Sequence, residues 1–266
     1  MNRLMDKVAI ITGAGQGVGR GIARRLSSEG AAVVIAELNE EVGQRTAQEI
    51  HSDFGVKTLF LATDVSSKDS VLSMVETTVK TFGRVDILVN NAWAPGRPSR
   101  LEIKPEKHLD RAVRIGLYGP FWAIQAVFPH MRRQGGGRII SICSLNGVNA
   151  HMYTAEYNAV KEALRALTRT AAREWAQYNI LANIICPAAE TPAQQAFART
   201  SPENAAAVLR QNPMGRMGDP ERDIGGVALF LASEDACYVT GNTIFADGGS
   251  HINGVSWAPE VPESPL

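Results

Sequence analysis

The feature that most constrains this chain is an alternation. Short runs of β-branched and aliphatic residues recur along it, separated by longer amphipathic stretches. The runs are Val8-Ala9-Ile10-Ile11, Ala32–Ala36, Leu59–Ala62, Ile87-Leu88-Val89, Arg138–Ile142, Ile180–Ile185 and Asn242–Ala246. Strands of this kind, alternating with helices, specify a parallel sheet covered on both faces. The expectation is a doubly wound α/β fold with a seven-stranded parallel sheet. A chain of 266 residues can bury one large core of this type. No internal repeat and no linker rich in Pro, Gly or Ser divides it, so residues 1–266 read as a single domain.

Two segments break the rhythm. Residues 187–218 carry helix-compatible sequence with prolines at 192, 202 and 213, and read as an insertion after the sixth strand. In such sheets ligands bind beyond the carboxyl ends of the strands, so this insertion is expected to act as a substrate lid. The tail, residues 250–266, holds Pro259, Pro262, Pro265 and Trp257 and cannot be a regular helix. Either it frays, or Trp257 anchors it on its own subunit or on a neighbour.

Charge narrows the function classes. Lys+Arg 27 equals Asp+Glu 27, so the footprint of a nucleic-acid or acidic-membrane binder is missing. No apolar run approaches the roughly 20 residues that span a bilayer, and the start has no apolar signal core. Cys143, Cys186 and Cys237 lie far apart with no C-x-x-C spacing, which reads as reduced thiols and no metal site. A cytoplasmic protein is expected.

After the first strand, glycines stand at 13, 15, 17 and 19. A G-x-G-x-x-G fingerprint begun at Gly13 would need glycine at 18, where Val18 stands. Gly13, Gly17 and Gly19 give instead the slightly longer G-x-x-x-G-x-G. Either turn lets backbone approach a pyrophosphate while the next helix aims its positive end at it. Gln16 and Val18 would share that contact. Glu37 ends the second strand, where a carboxylate can accept both hydroxyls of an adenosine ribose. It would repel a 2′-phosphate, and neither Gln16 nor Leu38 supplies a cation to offset it. NAD is therefore expected over NADP. Asp64 and Val65, closing the third strand, read either as an adenine contact or as a helix N-cap.

Tyr157 and Lys161 stand at i and i+4, so their side chains lean over one face of a helix. An ammonium beside a phenol favours the phenolate, which makes a proton donor or acceptor usable near neutral pH. Ser144, just past the fifth strand, can hydrogen-bond a substrate oxygen. Together with a nucleotide turn, these residues describe an alcohol–ketone redox site using a nicotinamide cofactor.

With these residues in view, the sequence resembles the short-chain dehydrogenase/reductase family, in its single-domain branch. The resemblance runs from Lys7 to Gly249. It rests on Thr12-Gly13-x-x-x-Gly17-x-Gly19, Asp64, Asn90-Asn91-Ala92, Ser144, Tyr157-x-x-x-Lys161, Asn183 and Asp247-Gly248-Gly249. It implies a Rossmann-like fold with Tyr157 as acid/base, Ser144 orienting the substrate, and Lys161 tuning Tyr157 and holding the nicotinamide ribose. It further implies cofactor contacts from the Asn91 backbone and from Pro187, and a homodimer or homotetramer.

Three departures from that pattern stand out. Trp93 follows Ala92 where the family keeps a glycine. Gly116 precedes Leu117-x-Gly119-Pro120-Phe121 where the family has an asparagine that opens a helix kink and holds a water. Glycine itself tolerates a kink. Ala188 follows Pro187 in place of glycine, with Thr191 one residue early.

The expected substrate pocket is Trp93, Leu145, Asn146, Tyr153, Ala189 and Phe197, mostly apolar and without a convergent Arg pair. That suits a neutral, partly hydrophobic secondary alcohol or ketone as small-molecule partner. The alternative reading is an NAD-binding member of weak or no catalysis, a sensor or structural subunit, motivated by Trp93 and Gly116. A cofactor-free dehalogenase or lyase ranks last, because the glycine turn and Lys161 are both intact.

Overall fold

The computed structural model describes residues 2–94, 96 and 98–252. Seven strands form one sheet: β1 (Val8–Thr12), β2 (Ala32–Glu37), β3 (Thr58–Ala62), β4 (Ile87–Asn90), β5 (Gly137–Ile142), β6 (Ile180–Pro187) and β7 (Thr243–Ala246). Their order is β3-β2-β1-β4-β5-β6-β7, and every pairing is parallel. All seven runs read from the sequence are strands, each extended by a residue or two or trimmed by one.

The continuous apolar runs follow from burial on both faces. Successive residues point to opposite sides of a strand. Ile11, Val33, Ile35, Ile87 and Val89 therefore enter one core with Ile22 and Leu26 of α1 (Gly17–Ser27) and Ile50 of α2 (Glu40–Phe54). Ile10, Val34, Ala36 and Leu88 enter the other. There they meet Met74 and Val75 of α3 (Lys68–Phe82) and Val127 and Met131 of α5 (Gly119–Gln134). Burying one such side chain contributes roughly 1.5–3 kcal/mol, so a polar residue in either register would be costly.

The remaining helices are α4 (Glu106–Val113), α6 (Leu145–Val148), α7 (Ala155–Trp175), α8 (Pro192–Thr200), α9 (Pro202–Arg210) and α10 (Gly225–Ala232). A π-helical turn, Arg114–Tyr118, joins α4 to α5 and contains Gly116. In residues 187–218, Pro192 and Pro202 do not break helices but open them. Each is the first residue of its helix, where the missing N–H costs nothing. Of the tail, Ser250 to Ile252 are described, and His251 stacks on Phe245 at 4.5 Å. Trp257 and the three tail prolines lie outside the described residues.

The strand order locates the site. From β1 the chain builds toward β3 on one side, then crosses back to start β4 on the other. Between the carboxyl ends of β1 and β4 the two following loops diverge and leave a crevice. No helix among the described residues is long and apolar enough to cross a membrane.

Candidate active site

The crevice is walled by the loop after β1 and the loop after β4. Gly13 (φ 65°) and Gly17 (φ 55°) bend the first loop through the left-handed region, which a β-carbon disfavours. Asn91 pins this loop with its side chain: Nδ2 donates to the carbonyls of Thr12 (2.9 Å) and Gly13 (3.0 Å). Thr12 Oγ1 in turn accepts the amides of Asn91 (3.0 Å) and Ala92 (3.1 Å). The two loops are thus one hydrogen-bonded unit. Gly19 is packed closely on this unit, since a β-carbon there would lie 2.3 Å from the Gly13 carbonyl oxygen and 2.5 Å from Asn91 Nδ2.

The helix ends differ in a way that matters for an anion. α2 and α3 are closed by side chains: Asn39 accepts from Val42 N and Ser67 from Ser70 N, with acids in both first turns. α1 begins at Gln16 with no side-chain cap and no acid in its first turn. Its first amides remain available to a phosphate oxygen.

Glu37 stands at the mouth of that turn. Its carboxylate accepts the amides of Gly15 (3.1 Å), Leu38 (2.9 Å) and Asn39 (3.1 Å). A carboxylate has about four acceptor positions, so capacity remains for a sugar hydroxyl. Glu40 and Glu41, not Glu37, open α2. Asp64 lies beyond β3, which stops at Ala62, and is not the cap of α3. Ser67 is the cap, while Asp64 Oδ1 accepts from Ser66 N (2.9 Å) and Ser66 Oγ (2.7 Å).

One cavity of about 340 Å³ gathers Gly13, Gln16, Gly17, Val18, Glu37, Asp64, Val65 and Asn91 from the residues named by sequence. It adds Leu38, Thr63, Ile115 and Thr191, which the sequence reading did not assign to the cofactor. Of these, Leu38 was the legible one, directly following Glu37. Thr191 caps α8 through Oγ1 to Gln194 N (3.2 Å), and its methyl lies 3.5 Å from a β-carbon built at Gly17. A dinucleotide fits what is present: a glycine turn, an uncapped helix start and a carboxylate beyond them. Pro187 ends β6 opposite Ala246.

The other end of the cavity is built around Trp93. Its ring meets Tyr157 edge to face, with centroids 4.9 Å apart and planes at 68°. Lys161, one turn on in α7, is 3% exposed. Its Nζ lies 5.5 Å from the Trp93 ring and 5.6 Å from the Tyr157 ring. That ammonium donates to the Ile142 carbonyl at 2.7 Å, which fixes it at the end of β5. Ser144 caps α6, its Oγ accepting from Asn146 N at 3.2 Å. Its own hydrogen meets no protein acceptor among the described residues.

The start of α7 is held by a buried ion pair, Lys104 to Glu156 at 2.7 Å. Before it, Ala150 (φ 51°) and Tyr153 (φ 70°) sit in the left-handed region without being glycine, which is uncommon. This loop exposes Met152 and Tyr153, and α8 exposes Phe197. Leu145 and Asn146 are half-buried in α6. Ala189 is buried and held in an isolated bridge to Gly218, so it offers little surface to a substrate. Cys143 and Cys186 are buried, and burial pushes their thiols up to about 11 and about 12.

Known proteins are similar to this chain in sequence and fold. A family profile described as "Enoyl-(Acyl carrier protein) reductase" matches residues 13–251. A 12alpha-hydroxysteroid dehydrogenase of Clostridium sp. is 38% identical, over 91% of this chain and 96% of its own. Among solved structures, a 7 alpha-hydroxysteroid dehydrogenase complexed with NADH and 7-oxo glycochenodeoxycholic acid superposes with a TM-score of 0.88. It is 33% identical, covering 93% of this chain and 95% of that one. L-Sorbose reductase from Gluconobacter frateurii, complexed with NADPH and L-sorbose, gives 0.89 at 30% identity, over 95% and 100%.

Proposed function

Since the chain belongs to the short-chain dehydrogenase/reductase family, we propose that it is an NAD-dependent alcohol dehydrogenase/ketone reductase. The substrate in this reading is a neutral, partly hydrophobic secondary alcohol or its ketone. One observation carries it: Trp93, a wall of the glycine-turn cavity, is in ring contact with Tyr157 and stands over Lys161. The nucleotide cavity and a phenol–ammonium pair are therefore contiguous.

When bound, NAD supplies the redox chemistry, exchanging a hydride with the carbinol carbon. Gly13, Gly17 and the first turn of α1 would hold its pyrophosphate, and Glu37 the adenosine ribose. In the oxidative direction Tyr157 takes the hydroxyl proton, and in the reductive direction it returns one to the carbonyl oxygen. Lys161, buried and anchored on the Ile142 carbonyl, sits with its Nζ 5.6 Å from the Tyr157 ring centre, where it faces the charge that develops on the phenol as the proton moves. Ser144 donates to the substrate oxygen with the hydrogen its capping bond leaves free. Pro187 and the segment after it, with Thr191, Pro192 and Ala193 already on the cavity wall, would close over the site.

NAD is favoured over NADP by the Glu37 carboxylate and by its neutral neighbours Leu38 and Gln16. Exposed Met152 and Tyr153, in the loop that leads into α7, and exposed Phe197 on α8 favour an alicyclic or hydroxysteroid substrate over a phosphorylated one. The relatives named as hydroxysteroid dehydrogenases support this choice. A cytoplasmic homodimer or homotetramer belongs to the same reading. Tyr118, 45% exposed and stacked on Trp122, supplies a surface for it.

The test follows the near-ultraviolet absorbance of reduced nicotinamide. NAD and NADP are each offered with hydroxysteroids, cyclic diols and simple secondary alcohols. Turnover with NAD on one class is the expected result. Binding of NAD with silence across the panel would replace the enzyme reading by that of a nucleotide-binding sensor or structural subunit.

A further inference from the structure

Gly116 lies buried in the π-helical turn between α4 and α5, facing α7. A β-carbon built on it would lie 2.4 Å from Val160 Cγ1 and 2.9 and 3.3 Å from Cζ3 and Cε3 of Trp93. Neither wall can simply step aside. Val160 is β-branched on a helix and holds one strongly preferred rotamer, and it sits between Tyr157 and Lys161 in α7. The indole is in turn fitted against the Tyr157 ring and the Lys161 ammonium. Any side chain at 116 would therefore push on the two surfaces that position the phenol and the ammonium.

The indole also borders two spaces, together with Ala94 and Ile115. One is the nucleotide cavity. The other, of about 200 Å³, lies between Trp93 and the polar side chains of His108, Arg111 and Glu156. Lys161 is buried and lines neither space, its Nζ lying 5.5 Å from the indole ring centre. An indole face attracts an ammonium, by about 0.5–2 kcal/mol depending on its desolvation, and offers no acceptor to draw it away.

We propose that Trp93 is a positioning residue for Tyr157 and Lys161, and that residue 116 is glycine because the indole and Val160 occupy the room of its β-carbon. This rests on the reading of Tyr157 as the acid/base. Trp93 holds the phenol in an edge-to-face ring contact and the ammonium over its ring. Trp93 and Gly116 are one size-matched unit.

The unit is tested with Trp93→Phe, Trp93→Gly, Gly116→Ala and the double variant Trp93→Gly/Gly116→Ala. For each, kcat, KM and melting temperature are measured, with NADH binding followed by the fluorescence of the reduced cofactor. Trp93→Phe should keep most of kcat, because a ring edge and face remain. Trp93→Gly should lower kcat by about tenfold or more, with the Kd for NADH changed less than about threefold. Gly116→Ala should lower kcat and melting temperature in the wild-type background, although alanine is normally the better helix former. With the indole gone, the same alanine should cost at least about fivefold less in kcat.

Equal costs of the alanine in both backgrounds would overturn the size match. Unchanged kcat in Trp93→Gly would overturn the positioning role. Should Tyr157→Phe stay active, the acid/base reading falls and the positioning role with it. The size match then stands or falls on the non-additivity of the melting temperatures.

Discussion

At the nucleotide end of the groove, Glu37 is held by three backbone amides, and the glycine loop by the carbonyls of Thr12 and Gly13. At the chemical end, Tyr157 and Lys161 are held by an indole ring, one carbonyl and the packing of Val160 against Gly116. The first end is built largely from main-chain groups, tied by the Thr12 and Asn91 side chains, and needs small residues and a few polar groups in fixed places. The second is built from side-chain volumes, so a change at one position demands an answer at another. Hence the departures from the family pattern at Trp93 and Gly116 fall together at the chemical end, while the glycine turn keeps its form.

The largest expected effect is a break at the chemical end that spares the other. Tyr157→Phe removes the hydroxyl proposed to carry the proton while leaving a ring against Trp93. General acid–base groups contribute typically 10²–10⁴-fold, so a loss on the order of a thousandfold in kcat is expected. NADH titrated into the variant should bind within about threefold of the wild-type Kd, a difference under 1 kcal/mol. Comparable losses in turnover and binding would mean that the two ends are not separable.

A smaller effect is expected at the nucleotide end. Glu37→Gln keeps the side chain's length and one acceptor for the surrounding amides, but removes the charge facing a 2′-phosphate. The ratio of kcat/KM for NAD over NADP should fall by about tenfold, roughly 1.4 kcal/mol, with kcat itself little changed. A wild-type protein that already prefers NADP would sink the role given to Glu37. An alanine there would be a poorer probe, because three amides would lose their acceptor at once.

The sequence made the sheet legible because both faces are buried and the strands are therefore continuous apolar runs. The nucleotide end was legible for a related reason: glycines at 13 and 17 mark backbone that only glycine adopts cheaply, and that constraint is local. Asn91 was read for its backbone, yet its side chain does the tying, across a separation of 79 residues to Thr12. Ala189 was read as pocket lining and is buried in a bridge to Gly218, a pairing no local pattern announces. The tie between Trp93 and Gly116 was likewise hidden. Each was visible as a departure, but that one fills the space of the other is a fact of packing between the loop after β4, α7 and a π-helical turn.

The smallest expected effect concerns the thiols beside the chemical end. Cys143 precedes Ser144, and its amide bonds the Ile185 carbonyl at 2.9 Å, one residue before Cys186. Burial raises both thiols, to about 11 and about 12, and a nucleophilic thiol must first ionise. At pH 8 iodoacetamide should therefore label the exposed Cys237 alone and leave turnover unchanged. The sign for stability follows from the same shift. Above about 8.5, the ordinary thiol value, the unfolded chain releases protons that the folded chain retains, so stability should decline as pH rises from there. Replacing both buried cysteines by alanine should remove that part of the alkaline decline while leaving a cavity cost at neutral pH. Labelling of Cys143 at pH 8 in step with lost activity would instead place a reactive thiol at the chemical end, and the contrast drawn with the nucleotide end would have to include it.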